Sequence, residues 1–154
     1  GRDTVVRLGY NSRLDTIQAI VGKWLLPQAV EISERRRKNA RYYDEHFSAL
    51  SQITLPLRGG AFHEVYHLYV VLAEQRDALL CHCHKNGVEA KVHYPVPIYR
   101  QPALANLGYR EGDFPVTDAQ AQSMITFPCD QHLREEQLER VVEVVRDFYS
   151  CPNG

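Results

Sequence analysis

Asn11 and Arg13 stand two residues apart near the start of the chain and pair an amide donor with a guanidinium fork. Both groups suit a phosphate or another anion. Spacing alone also fits a helix cap at Asn11 and a surface charge at Arg13. A second set of polar groups lies at His93, Tyr94, Tyr99 and Arg100, where Pro95 and Pro97 interrupt the chain. A strand that ends in polar aromatics spaced by prolines turns side chains toward a cleft. Imidazole, phenol and guanidinium groups converging there can hold a polyhydroxylated anion. The plainer alternative is strand-end packing of amphipathic side chains.

Cys81-His82-Cys83-His84 has metal-binding residue types but the wrong spacing. Structural zinc takes spaced pairs that wrap a tetrahedron. Four consecutive helical residues point about 100° apart, so at most two can share an ion. The expectation is that Cys83 packs inward and the histidines are solvated. His63 and His67 are expected on one face of a strand as ordinary polar groups. No G-x-S-x-G element supports a nucleophile, and Gly59-Gly60 is too short for a phosphate loop. The run Arg35-Arg36-Arg37-Lys38 lacks interleaved aromatics, is offset by Glu31 and Glu34, and reads as a mostly solvated helix face. Nucleic-acid binding is therefore not expected.

The elements that must position these groups follow from pattern. Ser12, with Asp15 three residues on, reads as a capping box. Ile17, Ile20, Val21, Trp24 and Leu25 then form a helical apolar stripe. Pro27 ends that helix and suits the first turn of a second one, which runs to about Leu50. Residues 53–57 read as a short strand and 65–72 as a central strand covered on both faces. A helix over 75–86 ends with Gly87 as its cap. Val88, Ala90, Val92 and Tyr94 alternate with polar residues as a half-buried strand that Pro95 and Pro97 stop. Thr117 with Gln120 is expected to open a helix to about Met124. Leu138, Val141, Val142, Val145 and Phe148 mark a last amphipathic helix.

The pattern predicts an α+β fold: two long linking helices, then a small antiparallel or mixed sheet carrying helices. It is read as a single domain over 1–154, with linking helices over 8–50 and the small α+β part over 51–150. Hydrophobic residues make up 44% and charged residues 24% of the 154, and net charge is −1, so no general pull on nucleic acid or membrane is implied. No apolar run approaches the roughly 20 residues of a membrane helix, and no signal peptide is evident. Cys81, Cys83, Cys129 and Cys151 suggest no disulfide framework, which fits reduced thiols in a cytoplasm. Gly1 reads as a cloning remnant and Pro152-Asn153-Gly154 as a frayed tail.

Three segments carry a family resemblance: Gly9-Tyr10-Asn11-Ser12-Arg13-Leu14-Asp15-Thr16-Ile17-Gln18-Ala19, then residues 92–102, then 107–116. The first resembles the G-x-N-x-R-L-x-x-[IL]-Q-A element of the DegT/DnrJ/EryC1/StrS family of sugar aminotransferases, which use pyridoxal phosphate (PLP). The other two resemble the family's run into its substrate pocket. The likeness extends from about Leu8 to Phe148. It implies the small C-terminal domain of a fold-type-I PLP enzyme, with the helices that link it to a large domain. It also implies that Asn11 bonds the PLP phosphate of a partner subunit, with Arg13 beside it. His93, Tyr94, Tyr99 and Arg100 would line a nucleotide-sugar pocket. Many members carry a histidine where this chain has Tyr99.

PLP chemistry needs a Schiff-base lysine and an acid paired with the pyridine nitrogen. The family places both upstream of the matched region. None of Lys23, Lys38, Lys85 and Lys91 has the serine-aromatic turn and glycine-rich stretch that flank the reactive lysine. The chain alone is therefore expected to hold no cofactor and to lack transamination of a keto-sugar nucleotide. Its expected partners are a second copy or a cofactor-domain chain. Three readings follow: part of a sugar aminotransferase, a half-enzyme assembling in trans, or a stand-alone binding module that kept the fold and lost catalysis.

Overall fold

The computed structural model describes residues 3–60 and 62–150. Gly1, Cys151 and the Pro152-Asn153-Gly154 tail lie outside the described residues. Helix α1 spans Thr16–Leu25, and a 3-10 turn at Leu26–Gln28 leads into α2, Ala29–Phe47. Strands β1 (Ile53–Thr54) and β2 (Tyr69–Ala73) follow, then α3 (Arg76–Lys85). Two 3-10 turns, Ile98–Arg100 and Pro102–Leu107, precede α4 (Pro115–Ser123), β3 (Met124–Phe127) and α5 (Glu135–Ser150). The sheet is antiparallel with β2 in the centre, Ile53 opposite Ala73 and Tyr69 opposite Phe127. The architecture is α+β, as the pattern predicts.

The core lies where α2 and α5 meet the sheet. Tyr43, Phe47, Tyr69 and Phe127 are fully or almost fully buried, with Leu79, Ile125, Val144 and Val145 around them. Tyr43 and Phe47, four apart on α2, stack at 5.5 Å between ring centroids, and Tyr43 meets Tyr69 at 5.0 Å. Each aromatic removes roughly 150–250 Å² from water. The Tyr43 hydroxyl donates to the Pro128 carbonyl at 2.9 Å, and Asn39 Nδ2 donates to the Asp130 carbonyl at 2.8 Å. Arg36 donates to Gln131 Oε1 at 3.0 Å and to the Tyr66 carbonyl at 3.0 Å. Within the basic run Arg36 and Arg37 are thus half-buried and engaged, and only Arg35 and Lys38 are solvated.

Several boundaries move, each for a physical reason. The capping box forms one turn later, with Asp15 and Gln18 as its reciprocal pair, so α1 starts at Thr16 rather than after Ser12. The central strand starts at Tyr69 rather than Val65. Arg36 takes the Tyr66 carbonyl, and Tyr66 sits at φ 47°, outside strand geometry. His63 and His67 therefore precede the strand; His63 Nδ1 lies 3.0 Å from an Arg37 nitrogen. The strand expected over 88–94 shrinks to one bridge between Lys91 and Thr126. A tight turn bonds the Ala90 amide to the Val88 carbonyl at 2.9 Å, which takes Ala90 out of any ladder. Helix α4 opens at Pro115 with no side-chain cap, so Thr117 and Gln120 make no capping box. The chain then turns extended at Met124, where the helix was expected to end, and forms β3, a strand the pattern does not predict.

None of the residues of α1 is buried. Ile17 is 75% exposed and Trp24 69%, so the stripe drawn from the sequence faces water in the single chain. Ile125→Ala should cost about 2–5 kcal/mol of stability, because it opens a cavity in the sealed core. Ile17→Ala should change stability by less than about 0.5 kcal/mol. Urea unfolding of the two variants checks the contrast, and equal losses would place α1 in the core.

Candidate functional site

The loop from Ala90 to Tyr94 borders three cavities. One, of about 390 Å³, has a largely apolar wall that includes Val5, Tyr94, Val96 and Met124, with Asp3, Gln101 and Gln120 as polar members. A second, of about 370 Å³, lies between α3 and the loop and is lined by Arg76, Lys91, His93 and Tyr94. A third, of about 290 Å³, is lined by Arg36, Lys91, His93 and Asp130. His93 Nδ1 lies 3.1 Å from Thr126 Oγ1, and its ring meets Tyr94 edge-on at 5.5 Å. The His93–Tyr94 peptide is cis. His93 and Tyr94 are thus brought together at a cavity wall.

Tyr99 and Arg100 line none of these three cavities. Tyr99 is buried, packs on Phe114 at 4.8 Å and donates its hydroxyl to Asp118 Oδ1 at 2.5 Å. The other Asp118 oxygen accepts the Gly112 amide at 3.0 Å. Burial and the bond to Asp118 raise the Tyr99 pKa. That bond, the Gly112 amide and the Arg100 charge hold the Asp118 carboxyl below its usual range. Arg100 is exposed and paired with Glu111 at 3.3 Å. Together these contacts fold the 98–118 segment onto itself.

Asn11 and Arg13 are exposed and make no hydrogen bond or ion pair with the described residues. They share no cavity with His93 in the set above. Their segment is ordered by its ends. Gln18 Oε1 accepts the Leu14 amide at 2.7 Å, and Gln101 Oε1 accepts the Val5 amide at 2.8 Å. Pattern reading passed over Gln101, Asp118 and Thr126. Only tertiary contacts mark them: each polar side chain is partly or wholly buried and bonded across the fold.

The Cys81–His84 run resolves as expected for its inward member. Cys83 is fully buried, and burial pushes its thiol up to about 11. His84 is solvated, with Nε2 2.7 Å from the Ala90 carbonyl oxygen. His82 departs from expectation: it is half-buried, with its ring 5.4 Å from Phe148. Cys129 is buried and its thiol raised to about 12, by burial above all. Neither buried thiol has nucleophile character near neutral pH.

Three comparisons place this geometry. Residues 2–146 match the DegT/DnrJ/EryC1/StrS aminotransferase family. The chain belongs to that family. It is 35% identical over 144 residues to a pleiotropic regulatory protein of Geobacillus stearothermophilus, covering 92% of this chain and 39% of that protein. It is 32% identical over 139 residues to a UDP-N-acetyl-3-dehydro-alpha-D-glucosamine 3-aminotransferase of Acidithiobacillus ferrooxidans, covering 90% of this chain and 37% of that enzyme. The crystal structure of S. venezuelae DesV in complex with a ketimine intermediate superposes with a TM-score of 0.87 at 33% identity. That match covers 94% of this chain and 39% of DesV. The chain thus spans about two-fifths of the length of these relatives.

Full-length members of the family are aminotransferases, which use PLP. Lys23, Lys38 and Lys85 lie on exposed helix faces. Lys91 Nζ is held at the surface 2.6 Å from Glu89.

Tyr99→Phe should move the Asp118 carboxyl back toward the ordinary aspartate range, read by carbon NMR titration. Because the folded pKa of Asp118 is depressed, the stability gap between parent and variant should be full at neutral pH. It should close as pH falls through the depressed value. A gap that widens in acid would contradict the assignment.

Proposed function

We propose that this chain is the C-terminal part of a nucleotide-sugar aminotransferase acting in cytoplasmic amino-sugar biosynthesis. It is completed by a polypeptide that carries the PLP lysine. The observation that carries this reading is the superposition on DesV over almost the whole chain. The exposed arm over 3–30 supports it, since large uncovered apolar surface marks an interface. In the completed enzyme PLP supplies carbanion stabilisation. This chain supplies binding and orientation. Asn11 Nδ2 donates to the phosphate of the cofactor held by a partner subunit, and the Arg13 guanidinium lies beside it. His93 and Tyr94 contact the sugar. Tyr99 holds the loop through Asp118, and Arg100 faces the charged end of the substrate.

A half-enzyme that assembles in trans uses the same residues and differs only in how the lysine arrives. A stand-alone binding module draws support from the 390 Å³ cavity beside Tyr94. Its wall is mostly apolar, which disfavours a polyhydroxylated anion.

The 154-residue chain, given PLP, glutamate and a UDP- or dTDP-linked keto-sugar, should show neither visible PLP absorbance nor turnover. Joined to its lysine-bearing domain it should show both. In that enzyme Asn11→Ala should raise the PLP concentration for half-saturation about tenfold or more, the usual effect of losing a bond to a charged group. Turnover by the short chain would overturn the reading. Saturable binding of a UDP-sugar by the short chain, with amide shifts at 93–94, would favour the stand-alone module.

A further inference from the structure

Residues 6–14 contain no helix or strand, and Asn11 and Arg13 lie within them. What holds this span is at its two ends. At the α1 end the Gln18 carboxamide accepts from the Leu14 and Asp15 amides at 2.7 and 3.3 Å. At the other end stands Gln101, whose side chain is only 6% exposed. Its Oε1 accepts the Val5 amide at 2.8 Å, and its Nε2 donates to the Asp3 carbonyl at 3.0 Å. The same Nε2 reaches the Val96 carbonyl at 3.4 Å, and the Ala103 amide donates to the Val5 carbonyl at 2.9 Å.

Among the described residues the buried polar ones are Asn39, Arg76, Gln101 and Thr126. Asn39 bonds Asp130, Arg76 bonds Met124, and Thr126 bonds Lys91 and His93, all inside the sheet domain. Among the described residues, Gln101 alone of the four reaches the N-terminal arm. It also stands just past the 3-10 turn at Ile98–Arg100, seven residues after Tyr94. A carboxamide is the one side chain of this length that offers a donor and an acceptor together. A span tied at both ends samples far fewer placements than one tied at a single end.

We propose that Gln101 is a positioning residue that sets the Asn11–Arg13 arm at a fixed place relative to the His93–Tyr94 loop. This rests on the cofactor-phosphate role proposed above for Asn11. With Gln101 in place, one bound assembly of cofactor and sugar meets arm and loop together. Without it, the far end of residues 3–14 keeps only the backbone bond from the Ala103 amide to the Val5 carbonyl, and the phosphate donors must be ordered at the moment of binding.

Two variants separate this from general destabilisation. Gln101→Leu removes both bonds to the arm. Gln101→Glu keeps the acceptor for Val5 but sets a carboxylate against the Asp3 and Val96 carbonyls. In the 154-residue chain, hydrogen exchange at the Val5 and Ala103 amides should quicken about tenfold in both, while Val71 and Ile125 stay unchanged. In the enzyme completed by its lysine domain, Gln101→Leu should raise the PLP half-saturation about tenfold, with kcat at saturating PLP within about twofold. Asn11→Ala with Gln101→Leu should be no weaker than the weaker single variant, because both act on one contact. Additive losses, or unchanged PLP affinity in Gln101→Leu beside an effective Asn11→Ala, would overturn the inference and leave the proposed function standing. A silent Asn11→Ala would overturn both.

Discussion

Helix α2 is fastened to the sheet by buried aromatic packing and by side-chain donors together. Its aromatic pair Tyr43 and Phe47 closes the core against Tyr69 and Phe127. Arg36, Asn39 and Tyr43, on the same helix, donate to the carbonyls of Tyr66, Asp130 and Pro128 respectively. Burial of each aromatic is worth roughly 1.5–3 kcal/mol. The polar bonds add register, since a one-residue slide of α2 would strand three donors. The strand boundary at Tyr69 and the bent chain after β3 both follow from this fastening.

The same helix explains the shape of the N-terminal part. From Asn39 onward α2 is buried at regular intervals; before Ile32 nothing on it or on α1 is covered. The chain therefore has a sealed half and an open half joined along one helix. Leu14 adds to the tension, with φ at 83° beside Arg13, a conformation β-carbon-bearing residues rarely adopt. The open N-terminal part carries an exposed apolar face together with the exposed Asn11 and Arg13 side chains.

The legible parts of the sequence were those set by local periodicity. The α1 stripe, the centrality of β2 and the buried face of α5 all follow from spacing that repeats over several turns or residues. Gly87 at φ 78° ends the α3 region as its position implied. What pattern missed was set by distant partners. Met124–Phe127 has four residues and no signal apart from β2 beside it. The segment expected as a strand over 88–94 keeps its inward and outward alternation only over 88–91, leaves Tyr94 64% exposed, and loses its ladder to one tight turn. Among the site residues, His93 and Tyr94 meet at a cavity wall, whereas Tyr99 turns into the Phe114 cluster because Asp118 draws its hydroxyl. No spacing rule links residue 99 to 118, or 101 to 5.

Trp24 is the only tryptophan in the chain and stands on the uncovered face of α1. Its fluorescence reports directly whether that face awaits another polypeptide. In the dilute chain its emission should be that of a water-exposed indole, readily quenched by iodide. On assembly with the lysine-bearing domain the emission should move to the blue and quenching should fall. A blue, unquenchable emission from the dilute monomer, or an unchanged spectrum after assembly restores turnover, would contradict the account.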